Sequence, residues 1–133
     1  MSLRVLHVLK NSTGALWVAQ MVRELCQSGV ETHVSLPDMR GRMVQRYRDC
    51  GAIIQIGPGD IPARAPWQFP ALRKRLRELV DAIKPDLIHA QFYGCAVLYR
   101  WSLGRMEVPR LFQTPGPLHL NNARTHFNLG HGW

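Results

Sequence analysis

With 133 residues the chain has room for one domain, and 46% apolar against 20% charged residues fit a globular protein and exclude a disordered one. Its net charge of +8 points to an anionic partner, whether a nucleotide, an anionic lipid surface or nucleic acid, without choosing among them. Lys10, Arg23, Glu24 and Arg100 interrupt every apolar run, so none approaches the ~20 residues of a membrane span.

Met1-Ser2-Leu3-Arg4 leads directly into a strand pattern, which predicts no secretory signal. Leu3 to Leu9 is nearly continuous in apolar residues, as a buried parallel strand should be. Asn11-Ser12-Thr13-Gly14 makes a turn, with Ser12 or Thr13 the candidate N-cap of the helix that follows. Ala15, Val18, Ala19, Val22, Leu25 and Cys26 recur at helical spacing, and Gly29 stops them. Glu31 to Leu36 reads as a second strand with Val34 and Leu36 inward, leaving His33 on the surface; His7 falls in the core.

A helix over Gly41 to Cys50 and a strand over Ala52 to Ile56 come next. A proline-rich loop, Gly57 to Pro66, precedes a helix marked by Leu72, Leu76, Leu79, Val80 and Ile83. Lys74–Glu78 and Arg77–Asp81 stand at i,i+4 spacing on its outer face. Pro85 to His89 is a short strand, Gly94 to Leu103 a helix, and Arg110 to Gln113 a fifth strand. The alternation predicts an α/β, Rossmann-like three-layer domain around a parallel sheet of about five strands. Residues 1–120 form the domain, and the tail over 121–133 has no strand pattern.

In such a sheet, ligands bind beyond the carboxyl ends of the strands. The turn at Ser12, Thr13, Gly14 and Ala15 offers backbone N–H groups at a helix N-terminus, which attract an anion; the plainer reading is a glycine that only turns the chain. It matches neither a dinucleotide fingerprint nor a P-loop. His89 is expected at the end of its strand, facing the ligand crevice beside Gln91. Thr114-Pro115-Gly116-Pro117 makes a stiff turn that orients His119. Arg73-Lys74-Arg75-Leu76-Arg77 is the densest basic run, read as a solvated helix face or as a contact with anionic lipid. Nucleic acid is disfavoured, because no recognised motif and no interleaved aromatics accompany the basic segments. Cys26, Cys50 and Cys95 lack metal spacing and an adjacent base; they suit a reduced, cytosolic interior.

In order and spacing these segments resemble the N-terminal domain of GT-B glycosyltransferases of the retaining family 4. The family's L-x-x-x-G-x-E/H-V-x-V is similar to Leu25-Cys26-Gln27-Ser28-Gly29-Val30-Glu31-Thr32-His33-Val34, and Tyr47-Arg48-Asp49-Cys50-Gly51 loosely echoes the same helix end. Its x-P-D-V-V-H-x-H resembles Lys84-Pro85-Asp86-Leu87-Ile88-His89-Ala90-Gln91, with Gln91 in place of the second histidine. Its P-x-V-x-T-x-H-G resembles Pro109-Arg110-Leu111-Phe112-Gln113-Thr114-Pro115-Gly116, with Pro115 in place of a histidine.

The resemblance implies transfer of a sugar from a nucleotide-sugar donor to a sugar or lipid-linked acceptor, with no cofactor or metal of its own. It implies His89 and His119 as catalytic, sugar-proximal groups, Ser12, Thr13, Gly14 and Ala15 near the donor, and Gln91, Thr114 and Gly116 on the acceptor side. A second, C-terminal domain binds most of the donor in that family, so the expectation is an incomplete first domain, inactive alone and open to self-association. The expected location is cytoplasmic, with a peripheral place at the inner membrane face. The alternative is a non-enzymatic Rossmann-like module that binds anionic lipid or a protein partner.

Overall fold

The computed structural model describes residues 2–113, so Thr114, Gly116 and His119 lie outside the described residues. Strands β1 (Arg4–Val8), β2 (Glu31–Leu36), β3 (Ile53–Ile56), β4 (Leu87–Gln91) and β5 (Arg110–Gln113) alternate with helices α1 (Leu16–Gln27), α2 (Met43–Asp49), α3 (Phe69–Ile83) and α4 (Tyr93–Leu103). A single 3-10 turn, Pro66–Gln68, leads into α3. All strand pairs are parallel, in the order β3-β2-β1-β4-β5.

Each face of the sheet carries its own apolar core. Val34 and Leu36 of β2 pack with Val18, Ala19 and Val22 of α1 and with Met43, Val44 and Tyr47 of α2. On the opposite face Leu6, Val8, Ile88 and Ala90 meet Leu76, Val80 and Ile83 of α3 and Cys95, Leu98 and Leu103 of α4. This two-sided covering corrects the placement of His33. A strand buried on both faces has no solvent side, and His33 is 7% exposed. Its Nε2 lies 2.9 Å from Glu31 Oε2, and its Nδ1 lies 3.2 Å from the amide nitrogen of Gln55.

Helix ends follow local chemistry. Gly29, at φ 87, closes α1 in a left-handed turn, with the Val30 N–H donating to the Leu25 carbonyl at 3.0 Å. Arg77 does not turn toward Asp81; its Nη1 donates to the Ser102 carbonyl of α4 at 3.3 Å, tying α3 to its neighbour.

Candidate functional site

The chain leaves β1 toward one edge of the sheet through α1 and β2, and returns to the other side of β1 with β4. Strand order therefore reverses between β1 and β4, and the crevice for a ligand opens where their carboxyl ends diverge. The β1–α1 turn forms one bank of that crevice and the Gln91–Phe92 corner forms the other. Trp17 and Phe92 meet edge to face across it, ring centres 6.5 Å apart.

The first bank is built differently from the sequence expectation. Neither Ser12 nor Thr13 caps α1; the N-cap is Ala15, left-handed at φ 70 and ψ 53, with no side-chain cap. Asn11 organises the turn instead, its Oδ1 accepting from the backbone N–H groups of Thr13 at 3.1 Å and Gly14 at 3.0 Å. Buried Ser12 donates its hydroxyl to Asp38 Oδ1 at 2.7 Å. That bond, helped by the Arg40 N–H, holds the Asp38 carboxyl below the usual range. The β2–α2 loop clasps the turn further: the Met43 N–H donates to the Ser12 carbonyl at 3.0 Å and Arg42 Nε to the Thr13 carbonyl at 2.8 Å. Gly41 makes the contact possible, since a Cβ there would meet Ser12 O at 2.0 Å. The turn is thus rigid, flanked by Arg42, and leaves the positive end of α1 without a side-chain cap.

The start of α4 is filled by the protein itself. A Cβ on Gly94 would meet Asp60 Oδ1 at 2.0 Å, so the Asp60 carboxylate occupies the first turn of α4. Lys10 Nζ stands 3.4 Å from its other oxygen. Cys95 Sγ donates to the Gly59 carbonyl, and burial pushes this thiol up to about 12, an inert structural group. Neither α1 nor α4 has a side-chain cap, but the Asp60 carboxylate packs against the start of α4, which disfavours a second anion there.

On the second bank β4 runs two residues past His89, because Ala90 and Gln91 pair with Phe112 and Gln113 of β5. This corrects the expected position of His89: it sits in mid-strand, 5% exposed, its ring 5.2 Å from that of His7. Burial, then the neighbouring His89, lowers the His7 pKa to about 3. Burial also lowers that of His89, against a hydrogen bond to the Gln113 side chain that raises it. Both rings are neutral at pH 7. Gln91 ends the strand, fully buried, and neither amide atom has a partner among the described residues. Phe92 then takes φ 72 and ψ 153, a backbone region that essentially only glycine adopts without strain.

The structure places Ser12, Thr13, Gly14 and Ala15 in the turn after β1 and Gln91 at the end of the adjacent β4, with Gln91 and His89 both buried. Asp38 and Asp60 fall in the loops expected beyond the carboxyl ends of the strands, Pro37 to Gly41 and Gly57 to Asp60, but sequence reasoning assigned neither a role. The signals for them were glycines, Gly41 and Gly94, whose close approaches only coordinates reveal. Among the described residues no cluster of His, Cys, Asp and Glu is suited to hold a metal.

The Glycosyltransferase Family 4 model matches residues 15–130, most of the chain. The chain belongs to this family. No curated protein matches. Among solved structures, the calicheamicin glycosyltransferase CalG4 is similar with a TM-score of 0.66 at 13% identity, over 96% of this chain and 36% of that one. The glycotransferase of kitacinnamycin gives a TM-score of 0.58 at 14% identity, over 96% of this chain and 34% of its own. Glycinamide ribonucleotide transformylase 1 from Symbiobacterium toebii gives 0.57 at 20% identity, over 99% and 61%. These likenesses show the Rossmann-like fold, and the family 4 chain spans about a third of the length of the two glycosyltransferases.

Proposed function

We propose that this chain is the acceptor-side half of a retaining glycosyltransferase that moves a sugar from a nucleotide-sugar to a sugar or lipid-linked acceptor in the cytoplasm. The observation that carries the reading is the rigid, uncapped start of α1 at the strand-order switch, in a chain of family 4. Backbone N–H groups beside Arg42 suit the donor's diphosphate. Gln91, buried at the end of β4 with its amide unpartnered among the described residues, supports the acceptor side from beneath. In this arrangement His89 acts from beneath as a positioning residue, and His119 is left as the candidate for direct contact with the sugar.

The proposed chemistry needs a second domain to bring the donor over the crevice and exclude water. The test is to express the full open reading frame and assay a panel of nucleotide-sugars with candidate acceptors. Acceptor-dependent release of nucleoside diphosphate, with the anomeric configuration kept in the product, is expected. A folded full-length protein that neither binds nor turns over any donor would overturn the reading. Retained turnover with inverted configuration would overturn the retaining assignment alone.

A further inference from the structure

Among the described residues the most exposed large apolar side chains do not lie at the crevice. Trp67, on the 3-10 turn ahead of α3, is 75% exposed, and Trp101 of α4 is 58% exposed. Trp101 packs edge to face on Phe69, ring centres 6.2 Å apart. Together with Ile61, Pro62, Ala63 and Pro66 these two rings line an open apolar trough of about 580 Å³. Exposed tryptophan is costly in water unless something covers it.

Charge identifies the cover. From Ile61 to Arg77 the chain carries Arg64, Arg73, Lys74, Arg75 and Arg77 and not one acidic residue. Glu78 is the first acid beyond them. Arg64, Arg73, Lys74 and Arg75 are all exposed. The order along the element matters as well. Pro66, Trp67, Phe69, Pro70 and Ala71 form an apolar tip, and the cations begin one turn later. At 1.5 Å of rise per residue, Arg73 to Arg77 stand about 6–12 Å from Phe69 along the helix. That offset matches the ~5–10 Å by which interfacial apolar groups sink below lipid phosphates. The trough wall is largely aliphatic and proline-lined, which suits acyl chains better than stacked bases.

We infer that the apolar tip at Trp67, Phe69 and Trp101, with the cations of α3 behind it, docks the protein on an anionic lipid bilayer. Tryptophan sits at the headgroup level, where its ring is apolar and its N–H is wet. Arg64, Arg73, Lys74 and Arg75 meet the lipid phosphates. This surface is separate from the crevice and does not depend on the transferase reading. Among the described residues no helix is long and apolar enough to cross a membrane, and the proposed docking crosses none.

The test is co-sedimentation of the 133-residue chain with phosphatidylcholine vesicles, with and without phosphatidylglycerol. Binding is expected only to the anionic vesicles, weakening as salt rises, with tryptophan emission shifting to the blue. R73Q/R75Q should reduce the bound-to-free ratio at least about tenfold, and W67S should reduce it about tenfold through lost apolar burial. These side chains are exposed, and circular dichroism verifies that each variant is folded. Overturning results are absence of wild-type binding, equal binding to neutral vesicles, or folded variants that bind like the wild type. Binding to a single-stranded oligonucleotide or an acidic protein in place of vesicles would equally overturn it. The sugar-transfer assay reads the other proposal, so either can fail alone.

Discussion

The carboxylate of Asp60 rests against the backbone of Gly94, so closely that a Cβ on Gly94 would meet Oδ1 at 2.0 Å. This contact packs a carboxylate of the β3–α3 loop against the start of α4, whereas no carboxylate packs against the start of α1 among the described residues.

Substituting Gly94 by alanine should expel the Asp60 side chain, at a cost of about 1–2 kcal/mol. Asp60 is flexible enough to swing out, so the loss should be moderate. Gly59 offers no such escape, since a Cβ there would meet the Leu9 carbonyl oxygen at 2.2 Å. Gly59→Ala should therefore cost more, about 2–3 kcal/mol. Urea unfolding of the two variants checks the ranking. A D60A/G94A double variant should lose less than the sum of its parts.

Acid should weaken the fold through the buried His7–His89 pair. His7 binds its proton at about pH 3 when folded and at about 6.5 when unfolded. Between those values the unfolded chain holds more protons, so stability is complete above pH 6.5 and falls as pH drops. The slope from this one residue reaches about 1.4 kcal/mol per pH unit. A shallower pH profile is expected for His7→Leu than for the wild type, measured as the urea midpoint over that window. Parallel profiles would show that the pair does not carry the effect.

Ser12→Ala should lower the urea midpoint at neutral pH, because it removes a hydrogen bond to an ionised acceptor. The Asp38 pKa is held below 3.8 in the folded chain, so its contribution is present above 3.8 and is lost as pH falls through the depressed value. In the variant the Asp38 titration, followed by carboxyl-carbon NMR, should move up toward 3.8. An unmoved titration would assign the shift to the Arg40 N–H instead.

The frame was legible in the sequence because alternating apolar runs and glycine stops are local signals. Glu31–Leu36 and Arg110–Gln113 were read with the bounds they have. His33 was misplaced by a period-two argument, which assumes one wet face, whereas β2 is covered on both. The end of β4 was set at His89, two residues early; pairing of Ala90 and Gln91 with Phe112 and Gln113 carries the strand on. Ser12 looks like a helix cap until Asp38, 26 residues on, claims its hydroxyl. The elements were thus readable from neighbours in the chain, and the crevice was not, because its contacts join residues far apart in sequence.

Ala15 offers the sharpest test of the α1 turn. It holds φ 70 and ψ 53 with a side chain that disfavours both, at a cost of about 1 kcal/mol relative to glycine. Ala15→Gly should relieve that strain, although the freer unfolded chain offsets part of the gain. A net rise of about 0.5 kcal/mol, or one to a few degrees in Tm, is expected by calorimetry. The backbone N–H groups remain in place, so the proposed diphosphate contact should survive and KM for the donor should hold in the full-length protein. A fall in Tm would mean that residue 15 does not adopt the left-handed conformation in solution. A rise in Tm with a weakened KM would show that the turn must be stiff, and not merely uncapped, to hold the phosphates.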